Sequence, residues 1–286
     1  MSHIIETVKA QDGFLLNMKI LSSKDSKALG SIVYYHGGGF LSGEPDDLPK
    51  EYLNILNQSF NIIIADYRLA PEVDLNCIIQ DAFEAYDFAH NYYKDLPIYV
   101  FGRSAGGYLA FQVAAHKETA GIIDFYGYAR IHVPQFLRSH AQYKKLTESI
   151  TPDLINSMIH SKPITSIPIQ ERYILYLYAR GNGNWFKYLG VEHSTDSKFN
   201  LQPNQLKKLP PTFIVHGKHD PDVPSSESNF VEQNIPVTEK VIVQTEEHDF
   251  DRTPTSYTES IYEQAVEFLK NIKWGSKWIL KEFYLL

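Results

Sequence analysis

The feature that most constrains this chain is an alternation. Short apolar runs of strand length are separated, mostly one at a time, by segments with helical spacing. Two alternating runs, residues 4–10 and 14–21, flank Asp12-Gly13, a hairpin turn signal. Strand-like runs follow at 31–36 and 61–67. Between residues 75 and 93, Ile78, Ile79, Ala82, Phe83, Tyr86 and Ala89 recur with the period of one helix face. A strand at 98–101, a helix at 104–116 and a strand at 121–126 come next. After an interruption the pattern resumes with strands at 211–216 and 237–244 and helices at 225–233 and 255–272. Strands joined through single helices form βαβ units, which requires a mostly parallel sheet. The expectation is therefore an α/β fold, a twisted sheet with helices on both faces.

The interruption, residues 128–209, holds no strong strand but many aromatics, among them Tyr173, Tyr176, Tyr178, Trp185, Phe186 and Tyr188. Structureless connections beyond about 15 residues are uncommon in compact domains. The segment is therefore expected to be a helical cap inserted after the sixth strand, with residues 1–127 and 210–286 forming the core. The apolar tail 274–286 is expected to pack on the body or on a second copy of the chain, as in a homo-oligomer. With 27 basic against 34 acidic residues, the net charge of −7 argues against a nucleic-acid partner. The lone cysteine, Cys77, falls on the apolar stripe of its helix and can form neither an internal disulfide nor a Cys-rich zinc site. No run approaches the roughly 18 apolar residues a membrane helix needs, and the first residues lack a basic, then apolar, leader pattern. No membrane association and a soluble, cytoplasmic protein are the expectations.

Four loops follow the C-terminal ends of expected strands, the edge where open α/β sheets bind ligands. Gly102-Arg103-Ser104-Ala105-Gly106-Gly107 sets a G-x-S-x-G pattern between a strand and a helix, a turn that thrusts the serine oxygen into the open. His36-Gly37-Gly38-Gly39-Phe40 lets backbone N–H groups approach a developing oxyanion closely. The phosphate-loop ending is absent. The remaining loops carry His216 to Pro224 and Glu246 to Phe250. A serine needs a base, and the base needs a third group to fix its tautomer. The chain order Ser104, Asp220, His248 suits an α/β-hydrolase triad. Asp222 is a rival acid, although the G-x-x-D spacing from Gly217 favours Asp220. The cluster His216, His219, Asp220 and Asp222 has no second set of ligands, so neither metal nor cofactor is implied.

Together with Asp66-Tyr67-Arg68-Leu69-Ala70-Pro71-Glu72, these motifs resemble the HGGG, GDSAGG and YRLAPE segments of the hormone-sensitive-lipase-like esterases, within the α/β-hydrolases. The resemblance spans residues 4–272 apart from the insertion. It implies Ser104 as nucleophile, Asp220 as orienting acid and His248 as base, with the N–H groups of Gly38, Gly39 and Ala105 as oxyanion hole. It implies hydrolysis of small-molecule carboxylic esters with short or medium acyl groups through an acyl-enzyme. An amidase, formamidase or small peptidase could use the same triad, and a binding protein could use the same pocket. Two departures stand out. Arg103 replaces the family's acidic residue before the nucleophile, and only 35 residues precede His36, too few for the N-terminal cap of many members. The insertion is then expected to act as lid, with Trp185 and Phe186 contacting substrate.

Overall fold

A computed structural model describes residues 3–273, so the tail at 274–286 lies outside the described residues. Eight strands form one sheet: β1 (Ile4–Lys9), β2 (Leu15–Leu21), β3 (Ser31–Tyr35), β4 (Asn61–Ala65), β5 (Ile98–Arg103), β6 (Gly121–Phe125), β7 (Thr212–Gly217) and β8 (Thr238–Val243). Their spatial order is β1-β2-β4-β3-β5-β6-β7-β8. The β1–β2 hairpin joins β4 antiparallel, and every other pairing is parallel. The fold is an α/β-hydrolase-type sheet, with β5 near its middle.

Strands of period two bury both faces here. Val33, Tyr35, Ile63 and Ala65 enter the cluster on one side, while Ile32, Tyr34, Ile62 and Ile64 enter the cluster on the other. Helices α1 (Lys50–Leu56), α2 (Leu75–Tyr92) and α3 (Ala105–His116) punctuate the first half. The first was not evident in the periodicity, being only seven residues long. Between β6 and β7 lie the short helices α4 (Pro134–Leu137), α5 (Ala141–Leu146) and α6 (Pro152–Ser157), the longer α7 (Ile169–Gly181), then α8 (Trp185–Tyr188) and α9 (Pro203–Leu206). Helices α10 (Ser226–Asn234) and α11 (Ser256–Lys270) complete the chain. α2 and α3 cover one face, while α1 and α11 cover the other and pack together, with Tyr52 stacked on Tyr262 at 3.9 Å. Among the described residues no helix is long and apolar enough to cross a membrane.

The 66–72 segment shows why its residues are what they are. The Arg68 guanidinium donates to both oxygens of buried Asp81, at 2.8 and 2.7 Å. Tyr67 stacks on His36 and donates to the His36 carbonyl at 2.8 Å. Glu72 accepts from Arg172 of α7 at 2.7 Å. The segment thus ties α2, the glycine loop and the insertion to one another.

Asp124 of β6 is fully buried, with one carboxyl oxygen filling the space that a Cβ on Gly107 or Gly127 would need. Burial pushes its pKa up to about 8, against a downward pull from the Gly127 N–H. The unfolded chain loses this proton near pH 4, roughly the ordinary Asp value. Between the two values the unfolded state binds fewer protons, so stability falls as pH rises from about 4 to about 8. Asp124→Asn cannot titrate and should gain melting temperature relative to wild type across that window. A difference between the two proteins that stays constant from pH 4 to 8 in thermal denaturation would contradict a protonated Asp124.

Candidate active site

Ser104 follows β5 and precedes α3 with φ +53° and ψ −118°. A non-glycine residue so placed costs on the order of 1–3 kcal/mol and persists only where its surroundings hold it. Here a Cβ on Gly102 would strike the Gly106 carbonyl, and one on Gly106 would strike the Tyr35 carbonyl. Strand, turn and helix therefore pack without side chains between them. The Ser104 N–H donates to the Phe125 carbonyl at 2.9 Å, and the Gly107 N–H donates to the Ser104 carbonyl at 2.9 Å.

The loops after β7 and β8 bring the other two groups to this oxygen. His248 Nε2 lies 2.8 Å from Ser104 Oγ, and His248 Nδ1 lies 2.6 Å from Asp220 Oδ2. The other Asp220 oxygen accepts the N–H groups of Asp222 and Val223 at 2.8 and 2.9 Å, which fixes the carboxylate. Asp222 takes a different place. Its Oδ2 is 3.9 Å from His248 Nε2, and its carboxylate accepts from Tyr176 Oη and from Arg180 Nη1 at 2.8 Å. Tyr126 abuts the imidazole edge-on at 4.9 Å.

Electrostatics follow from this arrangement. Burial pulls the His248 pKa down, but the charge and hydrogen bond of Asp220, then the charges of Asp222 and Asp249, outweigh it and raise the pKa to about 9. Burial pushes Asp220 up, yet the His248 charge and the neighbouring His216 and His248 rings hold its carboxyl well below the ordinary range. Cys77, half-buried on α2, has its thiol pushed up to about 11 by burial. That leaves it protonated at neutral pH, and it lies in none of the site loops.

The glycine loop faces Ser104. Gly38 and Gly39 adopt φ +103° and +62°. A Cβ on Gly38 would strike the Ser42 carbonyl, and one on Gly39 the Tyr176 ring. Neither N–H donates to any described residue, and both glycines line the cavity between the loops. Ala105, the first residue of α3, offers a third N–H at a helix start where Ser104 makes no side-chain cap.

A cavity of about 90 Å³ lies between these loops. It is lined by Gly37, Gly38 and Gly39, by Ser104 and His248, and by Ile169, Tyr173 and Tyr176 of α7. Asp47, Arg103, Tyr126, Asp222, Asp249 and Arg252 complete the wall. Trp185 and Phe186 are not among these residues. Trp185 is buried behind the loop, stacks on Phe40 and donates its indole N–H to the Gly39 carbonyl at 3.1 Å. Phe186 packs against the core cluster. Ile169, Tyr173 and Tyr176 recur at i, i+4 and i+7, one face of a helix, and that spacing was the available signal for them. Tyr126, Asp47 and Arg252 carried no such signal. Among the described residues no group of three or more His, Cys, Asp or Glu side chains is placed to hold a metal ion.

A family model described as the α/β-hydrolase fold matches residues 32–250. The chain belongs to the α/β-hydrolase-fold family. It is similar over 94 % of its length to a solved Staphylococcus aureus protein of unknown function, with 39 % identity and a TM-score of 0.92 over 99 % of that chain. The hormone-sensitive lipase of Ictidomys tridecemlineatus is 28 % identical over 53 % of this chain and 21 % of its own length. Carboxylesterase 20 of Arabidopsis thaliana is 26 % identical over 47 % of this chain and 46 % of its own length. This α/β-hydrolase chain thus spans less than half the length of these two curated relatives.

The imidazole environment of this α/β-hydrolase gives a direct expectation. In a histidine NMR titration His248 should lose its proton well above pH 6.5, the ordinary value, toward about 9. Asp222→Asn removes a raising charge and should move the midpoint down. An unshifted midpoint in the variant would show that Asp222 does not act on the imidazole.

Proposed function

We propose that the protein hydrolyses carboxylic esters of short acyl chains through an acyl-enzyme. Ser104 attacks the carbonyl carbon as His248 takes its proton, and the N–H groups of Gly38, Gly39 and Ala105 receive the oxyanion. His248 then protonates the leaving alcohol, and water, activated by the same imidazole, releases the acid. Asp220 keeps Nδ1 protonated, so that Nε2 faces the serine. The observation that carries this reading is the unbroken line Ser104 Oγ, His248, Asp220, at 2.8 and 2.6 Å. The strained turn at Ser104 and the two cavity-lining glycines support it. The names of the lipase and carboxylesterase relatives agree with it. The small cavity favours short acyl groups over the long chains of lipid esters. We place substrate contact on Ile169, Tyr173 and Tyr176 rather than on Trp185, whose part is to hold Gly39.

Ser104→Ala should abolish both ester hydrolysis and labelling by a fluorophosphonate probe while leaving the fold intact. Probe labelling at another serine would overturn the nucleophile. Asp220→Asn should lower the rate by ~10⁴, as the comparable change does in a serine protease. An imidazole base must be neutral, so kcat/KM should rise with pH up to the His248 midpoint and fall below it. With that midpoint raised, the fall begins at higher pH than the window of roughly 6 to 7 expected of an ordinary imidazole. Nitrophenyl esters of increasing chain length should be cleaved best at two to four carbons. A preference for long chains or for amides would contradict the assignment.

A further inference from the structure

We propose that Asp222 is a receptor for a hydroxyl group on the alcohol side of the substrate, so that the esters cleaved best are short-acyl esters of hydroxylated, polyol-like alcohols. The inference rests on the ester-hydrolase reading and names the substrate class within it.

The position of Asp222 is the first ground. Its side chain is almost fully buried in the protein yet lines the cavity, and Oδ2 stands 3.9 Å from His248 Nε2. That nitrogen must deliver a proton to the leaving oxygen, which therefore sits within about 3 Å of it. A hydroxyl on the next carbon of the leaving alcohol is then within reach of Oδ2.

The second ground is hydrogen-bond capacity. Oδ1 accepts from Arg180 Nη1 at 2.8 Å, and the single hydroxyl proton of Tyr176 is shared between Oδ1 and Oδ2, at 2.9 and 2.8 Å; among the described residues Oδ2 has no other donor. A carboxylate oxygen can take two donors, so the oxygen facing the imidazole keeps one open site. Arg180 also donates to the Asp222 backbone carbonyl at 3.2 Å, which holds the carboxylate in place before any ligand arrives.

Charge decides what fills the site. Asp222 is paired with Arg180 and Asp249 with Arg252, while Asp47 shares Arg103 with Asp251. A cationic substrate would find the carboxylate beside the imidazole already matched by a guanidinium. Ile169 and the rings of Tyr126, Tyr173 and Tyr176 offer apolar contact elsewhere in the lining, but a methyl group placed against Oδ2 would cover a polar atom without replacing its hydrogen bond. A neutral donor satisfies both conditions.

The test compares 2-hydroxyethyl acetate with propyl acetate, which differ by a hydroxyl in place of a methyl, using kcat/KM on the whole chain. Wild type should favour the hydroxylated ester by about tenfold or more, as expected when a buried acceptor selects a hydroxyl. Asp222→Asn should reduce that ratio severalfold. Because this leaves Arg180 less compensated, the double variant Asp222→Asn/Arg180→Met provides a charge-balanced control and should show the same collapse. Equal rates for the two esters in wild type, or a ratio unchanged in both variants, would overturn the proposal. Ser104 labelling by a fluorophosphonate and hydrolysis of phenyl acetate, run in parallel, separate the two readings. Their loss in wild type overturns the hydrolase assignment and this inference together, while their presence with equal ester rates overturns this inference alone.

Discussion

The backbone at Ser104 is the constraint on which the site depends. Its positive φ is unfavourable by itself, and the structure holds it by removing every Cβ that could relieve or obstruct it. Gly102 and Gly106 let the strand, the helix and the end of β3 meet at backbone distance. β5 lies between β3 and β6 in the sheet, so the strained residue is anchored by parallel neighbours on both sides. The glycine loop extends from β3, and the acid and histidine loops extend from β7 and β8. Sheet order, rather than sequence proximity, brings the groups together.

Buried guanidinium–carboxylate pairs fasten those loops to the body. Arg68 holds Asp81, Arg172 holds Glu72, Arg180 holds Asp222 and Arg103 holds Asp251. Such pairs add little net stability, but losing one partner typically costs about 3–5 kcal/mol because the other charge is stranded. Their effect here is on geometry. Two of the four, Arg172 with Glu72 and Arg180 with Asp222, bind the helix α7 to loops of the sheet edge. The cavity wall contributed by Ile169, Tyr173 and Tyr176 is thereby fixed against the glycine loop.

Most of the sheet could be read from the sequence because strand and helix periods differ and each βαβ unit repeats the same alternation. The glycine motifs were legible for a different reason: they record local steric demands, which the structure shows at Gly38, Gly39, Gly102 and Gly106. The cavity lining was not legible in the same way. Trp185 and Phe186 are as aromatic as Tyr173 and Tyr176, and composition cannot say which side of a helix between β6 and β7 faces inward. Trp185 is drawn behind Gly39 by one indole hydrogen bond and by Phe40, Tyr128 and Phe136 around its ring. The helix α1 has no legible period because its two turns hold too few residues to establish one.

Arg103, the residue before Ser104, shows how one side chain organises its surroundings. An acidic residue at this position would add negative charge beside Ser104. The guanidinium instead donates to Tyr126 Oη at 2.8 Å and to Asp251 Oδ1 at 2.9 Å, and Tyr126 and Tyr262 also donate to Asp251. Asp251 stands three residues after His248, and Arg103 one residue before Ser104. The pair therefore joins the chain that carries the serine to the chain that carries the imidazole, across a contact buried from water. Tyr126, held in this network by its hydroxyl, presents its ring edge-on to the imidazole. The separation of Ser104 and His248 is thus set from behind by a charged bond and in front by a 2.8 Å hydrogen bond. The first of these does not depend on the protonation state of His248, so it holds the two residues together whether the imidazole is neutral or charged.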